Sequence, residues 1–285
     1  MSSPGTPAAT PIATLGAQFP SAATAAAWSG LHGSAAALAI VEAAARAQGP
    51  AIVLAAGSRE ADRLAAELRF FAPVDLPVHT FPDYETLPYD PFSPHPDLTS
   101  QRLTTLAALP GLRRGIVLVT VEALLQRLPP RQYVESHSFV LAAGQKIDVE
   151  AFRGRLTAAG YAAVTQVMAH GEFAVRGSII DLFPMGAREP YRIDLFDDEV
   201  ESIRIFDPES QRSGEKLPQV RLLPAREFPT TPEAVKEFRR RWRVRFEGDP
   251  LRSPVYRAVS EGLAPAGIEY WLPLFFERTA SLFDY

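Results

Sequence analysis

The chain has 285 residues, of which 47% are hydrophobic, so it is long enough for two domains or for one domain with an insertion. Its formal net charge of −4 argues against a surface coated in basic residues for nucleic acid, although local basic patches are compatible with it. The chain has no cysteine, which excludes disulfides, thiolate nucleophiles and cysteine-ligated zinc, and which fits a reducing compartment.

Residues 1–25 are rich in Ala, Ser, Thr and Pro, and no Lys or Arg occurs before Arg46. The basic start of a secretory signal is therefore missing, and no apolar run is long enough to span a bilayer. We interpret residues 1–25 as a flexible leader of a cytoplasmic protein.

From Trp28 onward, helical and strand patterns alternate. Ser58 is the expected N-cap of the second helix, in which Leu64 and Leu68 are spaced i, i+4. Strands and helices in this rhythm predict a parallel sheet covered on both faces. The predicted elements are helix 34–47, strand 51–56, helix 58–71, strand 78–81, strand 115–120 and helix 121–128.

A fold of this kind commonly binds nucleotide through a P-loop, which has the pattern G-x-x-x-x-G-K-[ST]. The nearest stretch contains Gly30, Gly33 and Ser34, but its glycine spacing is wrong and alanines stand where the lysine and hydroxyl should be. The first lysine of the chain is Lys146. The sequence therefore predicts a degenerate nucleotide site and no cofactor in this chain.

Residues 81–95 are rich in proline and aromatic residues. One interpretation is a loop that stacks nucleic-acid bases on its rings. The sequence favours the alternative, an ordered surface loop that packs its own rings, because no Lys or Arg lies between Phe81 and Pro94 to meet phosphate.

Pro129-Pro130 marks a domain boundary, beyond which a second, smaller α/β domain is predicted to end near residue 224. It begins with a strand at 139–141 and a helix at 149–159. Asp148 is the expected cap of this helix and Gly160 its stop. A strand at 162–167 follows.

The most informative stretch is 171–206, which is predicted to form consecutive strands joined by turns at 184–186 and 197–198. Side chains alternate between the two faces of a strand, so Tyr191, Ile193 and Leu195 form an ordinary core face. Arg192, Asp194 and Phe196 point to the other face. A phenyl ring beside an arginine on a polar face is typical of a protein-interaction anchor.

Salt bridging within the sheet is the alternative for this face. A two-residue turn at 197–198 places Leu195 opposite Val200 and Asp194 opposite Glu201. Two facing carboxylates repel, so arginines on the same face would neutralise them. The arginines available for this are Arg176, Arg192 and Arg204.

Thr231-Pro232 predicts the start of a helix, by a cap and a proline at the first position. Its basic face includes Arg239, Arg240 and Arg243, which are candidate contacts to nucleic-acid phosphates. A solvated charged face is the ordinary alternative. The many aromatic residues of 262–285 indicate a segment that continues into a longer protein.

We find no signature of enzyme chemistry. The five histidines are scattered, without paired spacing or nearby carboxylates that would indicate a metal site. Serine-nucleophile and paired-carboxylate patterns are also absent. The sequence therefore predicts no catalytic residue and no metal ligand.

Several long motifs occur in one order: FPDYETLPYDPFSPHPDLTSQRLTTLAALP, HGEFAVRGSIIDLFPMG, YRIDLFDDEVESIRIFDPESQR, LLPAREFP and PAGIEYWLPLFFE. Together they resemble the amino-terminal part of the bacterial transcription-repair coupling factors, over about residues 25–285. The resemblance implies similarity to the repair protein UvrB. One degenerate RecA-like domain of the P-loop type, with a parallel sheet, would be formed by residues 26–130 together with a truncated second part at 225–285. The segment 131–224 would be inserted into this domain.

In this family the inserted domain binds UvrA, the damage-recognition ATPase of nucleotide excision repair. The resemblance therefore implies a UvrA-binding surface, of which Arg176, Arg192 and Phe196 would be the anchors. Its expected neighbours are Asp194, Glu199 and Arg204.

Full-length members of the family also bind RNA polymerase and move along double-stranded DNA with a translocase that uses ATP and Mg. None of those domains is expected in these residues, so the resemblance implies a non-catalytic recruitment module. In the resting parent, the UvrA-binding surface is expected to be masked by the carboxy-terminal domain. No membrane contact is expected.

Overall fold

The computed structural model describes residue 25 and residues 27–285, so the predicted leader lies outside the described residues apart from its last position. Two compact units are distinguished. The first comprises the described residues up to Phe81 together with 111–121, and the second comprises 82–110 and 122–285. The domain boundaries proposed at residues 130 and 224 stay predictions.

The first unit contains a three-stranded parallel sheet in the order β1-β3-β2. Helices α1 and α2 pack on one face of it through alanines and leucines. The predicted parallel arrangement is therefore confirmed. The elements are α1 (Ala35–Arg46), β1 (Ala51–Ala55), α2 (Ser58–Phe71), β2 (Val78–Phe81) and β3 (Ile116–Thr120).

Two details of this unit correct the sequence-based expectations. Gly57 is the N-cap of α2, and Ser58 is its first helical residue, without a capping bond. The sheet is also not covered on both faces along its whole width, because Ile52 and Leu54 of β1 are exposed. The two helices cover only the opposite face of this edge strand.

In the second unit, a helix that the sequence analysis did not predict follows the proline-rich loop. Helix α3 (Pro96–Ala108) begins with a proline at its first position, and His95 Nδ1 accepts a hydrogen bond from Asp97 N at 3.3 Å. Its buried residues include Ser100, Arg102 and Thr105, so the apolar periodicity that reveals most helices is weak here.

The centre of the second unit is a six-stranded sheet in the order β10-β9-β8-β7-β6-β5. All pairs are antiparallel except β5 with β6. The strand predicted at 162–167 is shorter than expected. The strands are β5 (Ala162–Ala163), β6 (Glu172–Arg176), β7 (Ile179–Phe183), β8 (Tyr191–Phe196), β9 (Glu199–Phe206) and β10 (Ser213–Leu217).

One face of this sheet forms the main core together with α6 and a two-stranded antiparallel sheet of β4 and β11. Asp148 caps α6 as predicted, since its Oδ1 accepts from Ala151 N at 2.8 Å. The remaining elements before residue 224 are α4 (Val121–Leu125), α5 (Arg131–Ser136), β4 (Phe139–Ala142), α6 (Val149–Ala158) and β11 (Gln219–Leu222).

The last part of the unit is held by an aromatic cluster. Thr231 Oγ1 caps α7 by accepting from Ala234 N at 3.3 Å, as predicted. Phe238 and Trp242 are buried, and the Trp242 ring stacks on Trp271 with centroids 4.7 Å apart. The helices are α7 (Pro232–Arg245) and α8 (Pro254–Ser260), with short 3₁₀ turns at Leu109–Gly111, Pro250–Arg252, Ile268–Leu274 and Leu282–Asp284.

Candidate protein-interaction face

The six-stranded sheet has a second face, on which the charged residues of β6–β9 lie. Strand parity is confirmed in β8, because Ile193 and Leu195 are buried in the main core and Arg192 and Asp194 lie on the opposite side. We call this second side the polar face. It is formed by Ala174, Arg176, Ile179, Asp181, Arg192, Asp194, Phe196, Ser202 and Arg204.

The predicted pairing across the β8–β9 hairpin is correct at one position and wrong at the next. Leu195 is opposite Val200, as expected, but Asp194 is opposite Ser202 and not Glu201. A bulge adds one residue to β9 at this point, so the two carboxylates do not face each other. Instead Ser202 Oγ donates to Asp194 Oδ2 at 2.8 Å, and Arg204 Nε lies 4.0 Å from that oxygen.

A buried aspartate lies at the centre of the polar face. The side chain of Asp181 is only 2% exposed, and β7 places it directly between Ala174 and Arg192. Arg192 binds it in a bidentate manner, with Nε 2.7 Å from Oδ1 and Nη2 2.9 Å from Oδ2. Nη2 of Arg176 also donates to Oδ2. One carboxylate therefore holds two guanidinium groups.

Gln211 completes this cluster from the loop between β9 and β10. Its carbonyl oxygen accepts from Arg192 Nη1 at 3.0 Å, and its Oε1 accepts from Arg192 Nη2 at 3.1 Å. Oε1 also lies 3.5 Å from Nη2 of Arg176. Asp181 and Gln211 were missed by the sequence analysis, although a carboxylate within the apolar run of β7 is itself a sign of a buried partner.

The two arginines are not equally available to a partner. Arg192 lies over the ring of buried Phe206 at 4.7 Å, and its side chain is 14% exposed. The hydrogen bond and charge of Asp181 raise the pKa of Arg192 above its usual range. The Arg176 side chain is 48% exposed. The sheet thus contains the salt bridging that was the alternative interpretation, but with Asp181 and not with a facing carboxylate pair.

Phe196 lies at the end of the hairpin and is 75% exposed. It pairs across the hairpin with Glu199, which is also exposed, so these two candidate residues are neighbours. The adjacent turn is held by Lys146, whose Nζ is 3.0 Å from Asp198 Oδ1. The exposed ring therefore stands on an anchored turn, on the same side of β8 as Arg192 and four residues further along the strand.

The candidate arginines of α7 lie elsewhere, along an open groove of about 840 Å³. Arg240 is paired with Glu237, with Nη2 2.6 Å from Oε1, and Arg241 donates to the same carboxylate. The hydrogen bonds from Arg240 and Arg241 lower the pKa of Glu237 to about 2. In the described part of the chain, neither Arg239 nor Arg243 forms an ion pair.

The loop at 81–95 packs part of its own aromatic set. Tyr84 is buried, and its hydroxyl donates to Glu227 Oε2 at 3.1 Å. Tyr89 is exposed, although its ring forms a T-shaped contact with Trp271, with the ring centroids 5.3 Å apart. Leu87 and Phe92 are exposed as well. Only part of the loop therefore fits the favoured interpretation of a loop that packs its own rings.

The degenerate glycine stretch lies just before α1. Gly30 and Gly33 have positive φ angles, and Ser34 occupies the N-cap without a capping hydrogen bond. Among residue 25 and residues 27–285, no group of three or more His, Asp or Glu residues is placed to hold a metal ion. Within the same residues, no helix is long and apolar enough to cross a membrane.

Comparison with known proteins places the polar face within a named domain. Residues 139–228 match the family described as the UvrB interaction domain, and the predicted anchors Arg176, Arg192 and Phe196 lie inside that range. This match overlaps the domain predicted at 131–224.

Relatives extend the likeness over most of the chain. The chain is 47% identical over 256 residues to the transcription-repair-coupling factor of Escherichia coli (strain K12). The aligned region covers 90% of this chain and 22% of that protein. Identity to the Haemophilus influenzae protein of the same name is 45% over 251 residues, 87% of this chain and 22% of the relative. The Rickettsia prowazekii protein is 33% identical over 235 residues, 82% of this chain and 21% of its own length.

The chain spans about a fifth of the length of these curated relatives. The UvrB interaction domain and the identity across nearly the whole chain lead to the same assignment, which the sequence motifs also predict. The chain is similar to transcription-repair-coupling factors over most of its length, and residues 139–228 match the UvrB interaction domain.

Proposed function

We propose that this chain is the non-catalytic, UvrB-like module with which a transcription-repair coupling factor recruits UvrA to lesions where RNA polymerase has stalled. The observation that carries the proposal is the exposed Phe196 on the same sheet face as the Arg176–Asp181–Arg192 cluster, within a range that matches the UvrB interaction domain. An exposed aromatic ring next to held arginines is typical of the centre of a protein interface.

The finer architecture is part of the same proposal. The parallel sheet of the first unit would belong to a degenerate RecA-like fold, into which 131–224 is inserted. Support comes from the parallel β1-β3-β2 order and from the two-stranded sheet of β4 and β11, which brings the two ends of the inserted segment together. The chain itself would bind neither ATP nor Mg and would catalyse no reaction.

The parent protein would supply the remaining activities through other domains. It would be a cytoplasmic, ATP-dependent DNA translocase that contacts RNA polymerase and double-stranded DNA. Its carboxy-terminal domain would mask the polar face until UvrA is needed. The isolated chain should therefore bind UvrA more tightly than the resting parent does, and equal affinities would contradict the masking.

Phe196→Ala is expected to weaken binding to UvrA at least about thirtyfold, since loss of a central aromatic anchor typically costs roughly 2–4 kcal/mol. The measurement is titration calorimetry with purified UvrA. The fold should stay intact by circular dichroism, because the ring is 75% exposed and contributes little to the core.

Phe283→Ala is the matched control, because this ring is 70% exposed and lies outside the UvrB interaction domain. Its affinity for UvrA should equal that of the unsubstituted chain. Equal binding by the Phe196→Ala variant and the unsubstituted chain would place the interface elsewhere. Absence of binding by the unsubstituted chain would refute the recruitment role.

A second candidate function is DNA binding by α7. It is favoured by Arg239 and Arg243, which lack ion-pair partners in the described residues and line an open groove with Arg240. Phosphate contacts release counterions, so this function predicts that affinity for DNA falls steeply with salt and falls further in an Arg239→Ala/Arg243→Ala variant. Binding that is insensitive to salt and to both substitutions would eliminate it.

A further inference from the structure

The two arginines of the polar face use their guanidinium groups differently. Arg192 donates through all three nitrogens, to Asp181 and to Gln211. Arg176 donates only through Nη2, so in the described part of the chain its Nε and Nη1 make no hydrogen bond. The Nε–H and Nη1–H groups are therefore left as single donors for a partner; they do not act as a bidentate pair with each other, because Cδ lies on the side of Nη1 and Nε–H points toward Nη2.

Gln211 is held in an unfavourable backbone conformation to make its contacts. Its φ angle is +58°, in the left-handed region that residues other than glycine rarely occupy. Its amide N donates to Asp207 O at 2.8 Å, and its Nε2 donates to Pro208 O at 2.7 Å. Such strain persists where surrounding contacts fix it, and it clusters at binding sites.

The charges around the cluster indicate what kind of group would approach it. The two cross-strand rows that contain the cluster carry two carboxylates, Asp181 and Asp194. They carry four cations, and the rows on either side add Glu172 and Glu199, so the cations are concentrated at the cluster on a face whose charges otherwise balance; this favours oxygen acceptors of a partner at the cluster. The cations are Arg176, Arg192, Arg204 and Lys216.

We propose that Asp181 and Gln211 are positioning residues that fix both guanidinium groups before the partner arrives, and that the unused Nε–H and Nη1–H donors of Arg176 bind oxygen acceptors of UvrA. Arg192 then acts mainly as a support, through Asp181. Fixing a long side chain in advance removes an entropic cost that binding would otherwise carry. This inference rests on the proposed function, because UvrA is its partner.

Asp181→Asn is the first test, because it keeps the volume of the buried side chain and removes the charge that orders both arginines. Affinity for UvrA, measured by titration calorimetry, is expected to fall about tenfold or more. In an Arg176→Ala background the same substitution should cost less than about twofold, because its effect passes through Arg176. Equal losses in both backgrounds would overturn the proposed route through Arg176.

Gln211→Gly separates positioning from folding. Glycine adopts a positive φ without strain and keeps the backbone carbonyl that accepts from Arg192, but it removes the side-chain amide. Affinity for UvrA is expected to fall about two- to fivefold, the range of one lost hydrogen bond. The thermal stability of the variant should change little. Unchanged affinity would show that the amide does not position the arginines.

Glu227→Gln is the matched control for Asp181→Asn. Glu227 is also a buried carboxylate bound by an arginine in a bidentate manner, and that arginine, Arg102, is on α3 and not on the six-stranded sheet. This variant should lose stability and keep its affinity for UvrA. An equal loss of affinity in both variants would mean that Asp181 acts only through stability, which would overturn the proposal.

The outcomes also separate this inference from the proposed function. If the unsubstituted chain fails to bind UvrA, or if Phe196→Ala binds normally, the proposed function fails. If Phe196→Ala weakens binding while Asp181→Asn and Gln211→Gly bind normally, the recruitment role holds and only the positioning role is refuted.

Discussion

Replacement of Arg102 by methionine is expected to lower the free energy of unfolding by about 3–5 kcal/mol, the usual cost of removing one partner of a buried ion pair. Arg102 of α3 is fully buried, with Nε 2.6 Å from Glu227 Oε1 and Nη1 2.8 Å from the carbonyl oxygen of Pro82. It also lies 4.2 Å over the ring of Tyr84. Without Arg102, the carboxylate of Glu227 stays buried, and among the described residues the Tyr84 hydroxyl is its one remaining donor. Denaturant unfolding measures the loss.

Two further variants test the reason for this loss. The double replacement Arg102→Met/Glu227→Leu should recover a large part of the stability, because it leaves no unpaired buried charge. Arg131→Ala removes an exposed ion pair with Glu135 and should cost less than about 1 kcal/mol. A loss in Arg102→Met no larger than that in Arg131→Ala would show that the buried pair is not what holds α3.

Gly267→Ala is expected to destabilise the chain by about 2–5 kcal/mol, from left-handed backbone strain and from overpacking. Gly267 has a φ angle of +80°, and a Cβ atom there would lie 2.1 Å from the carbonyl oxygen of Asp90. That close approach fixes the aromatic loop, together with the bond from Gly267 N to Ser93 Oγ at 3.2 Å. The Tyr270 hydroxyl also donates to Thr86 O in the same loop.

Gly248→Ala is the control for Gly267→Ala, because Gly248 has a φ angle of +90° and open space where its Cβ would be. It should cost only the strain of the left-handed conformation, about 1–2 kcal/mol. Thermal unfolding of both variants measures the difference. Equal losses would mean that the loop moves away from residue 267 without cost, and that its exposed rings are not held in place.

The sequence alone determined the features that depend on local backbone geometry. Alternation along β8 separated Ile193 and Leu195 from Arg192 and Phe196, because successive side chains of any strand point to opposite faces. The caps Asp148 and Thr231 were found in the same way, since capping involves only the next three residues. The ordered motifs also identified the family, which the relatives confirm.

Only the tertiary structure decided how distant residues meet on the polar face. The partner of Arg192 is Asp181 of the neighbouring strand, and Gln211 reaches the same site from a loop. Neither contact follows from spacing along the chain, because strand register is set by hydrogen bonds between segments, and one bulge residue in β9 changed the partner of Asp194. Strand parity is a property of one segment, whereas a binding face needs several segments to be paired in register.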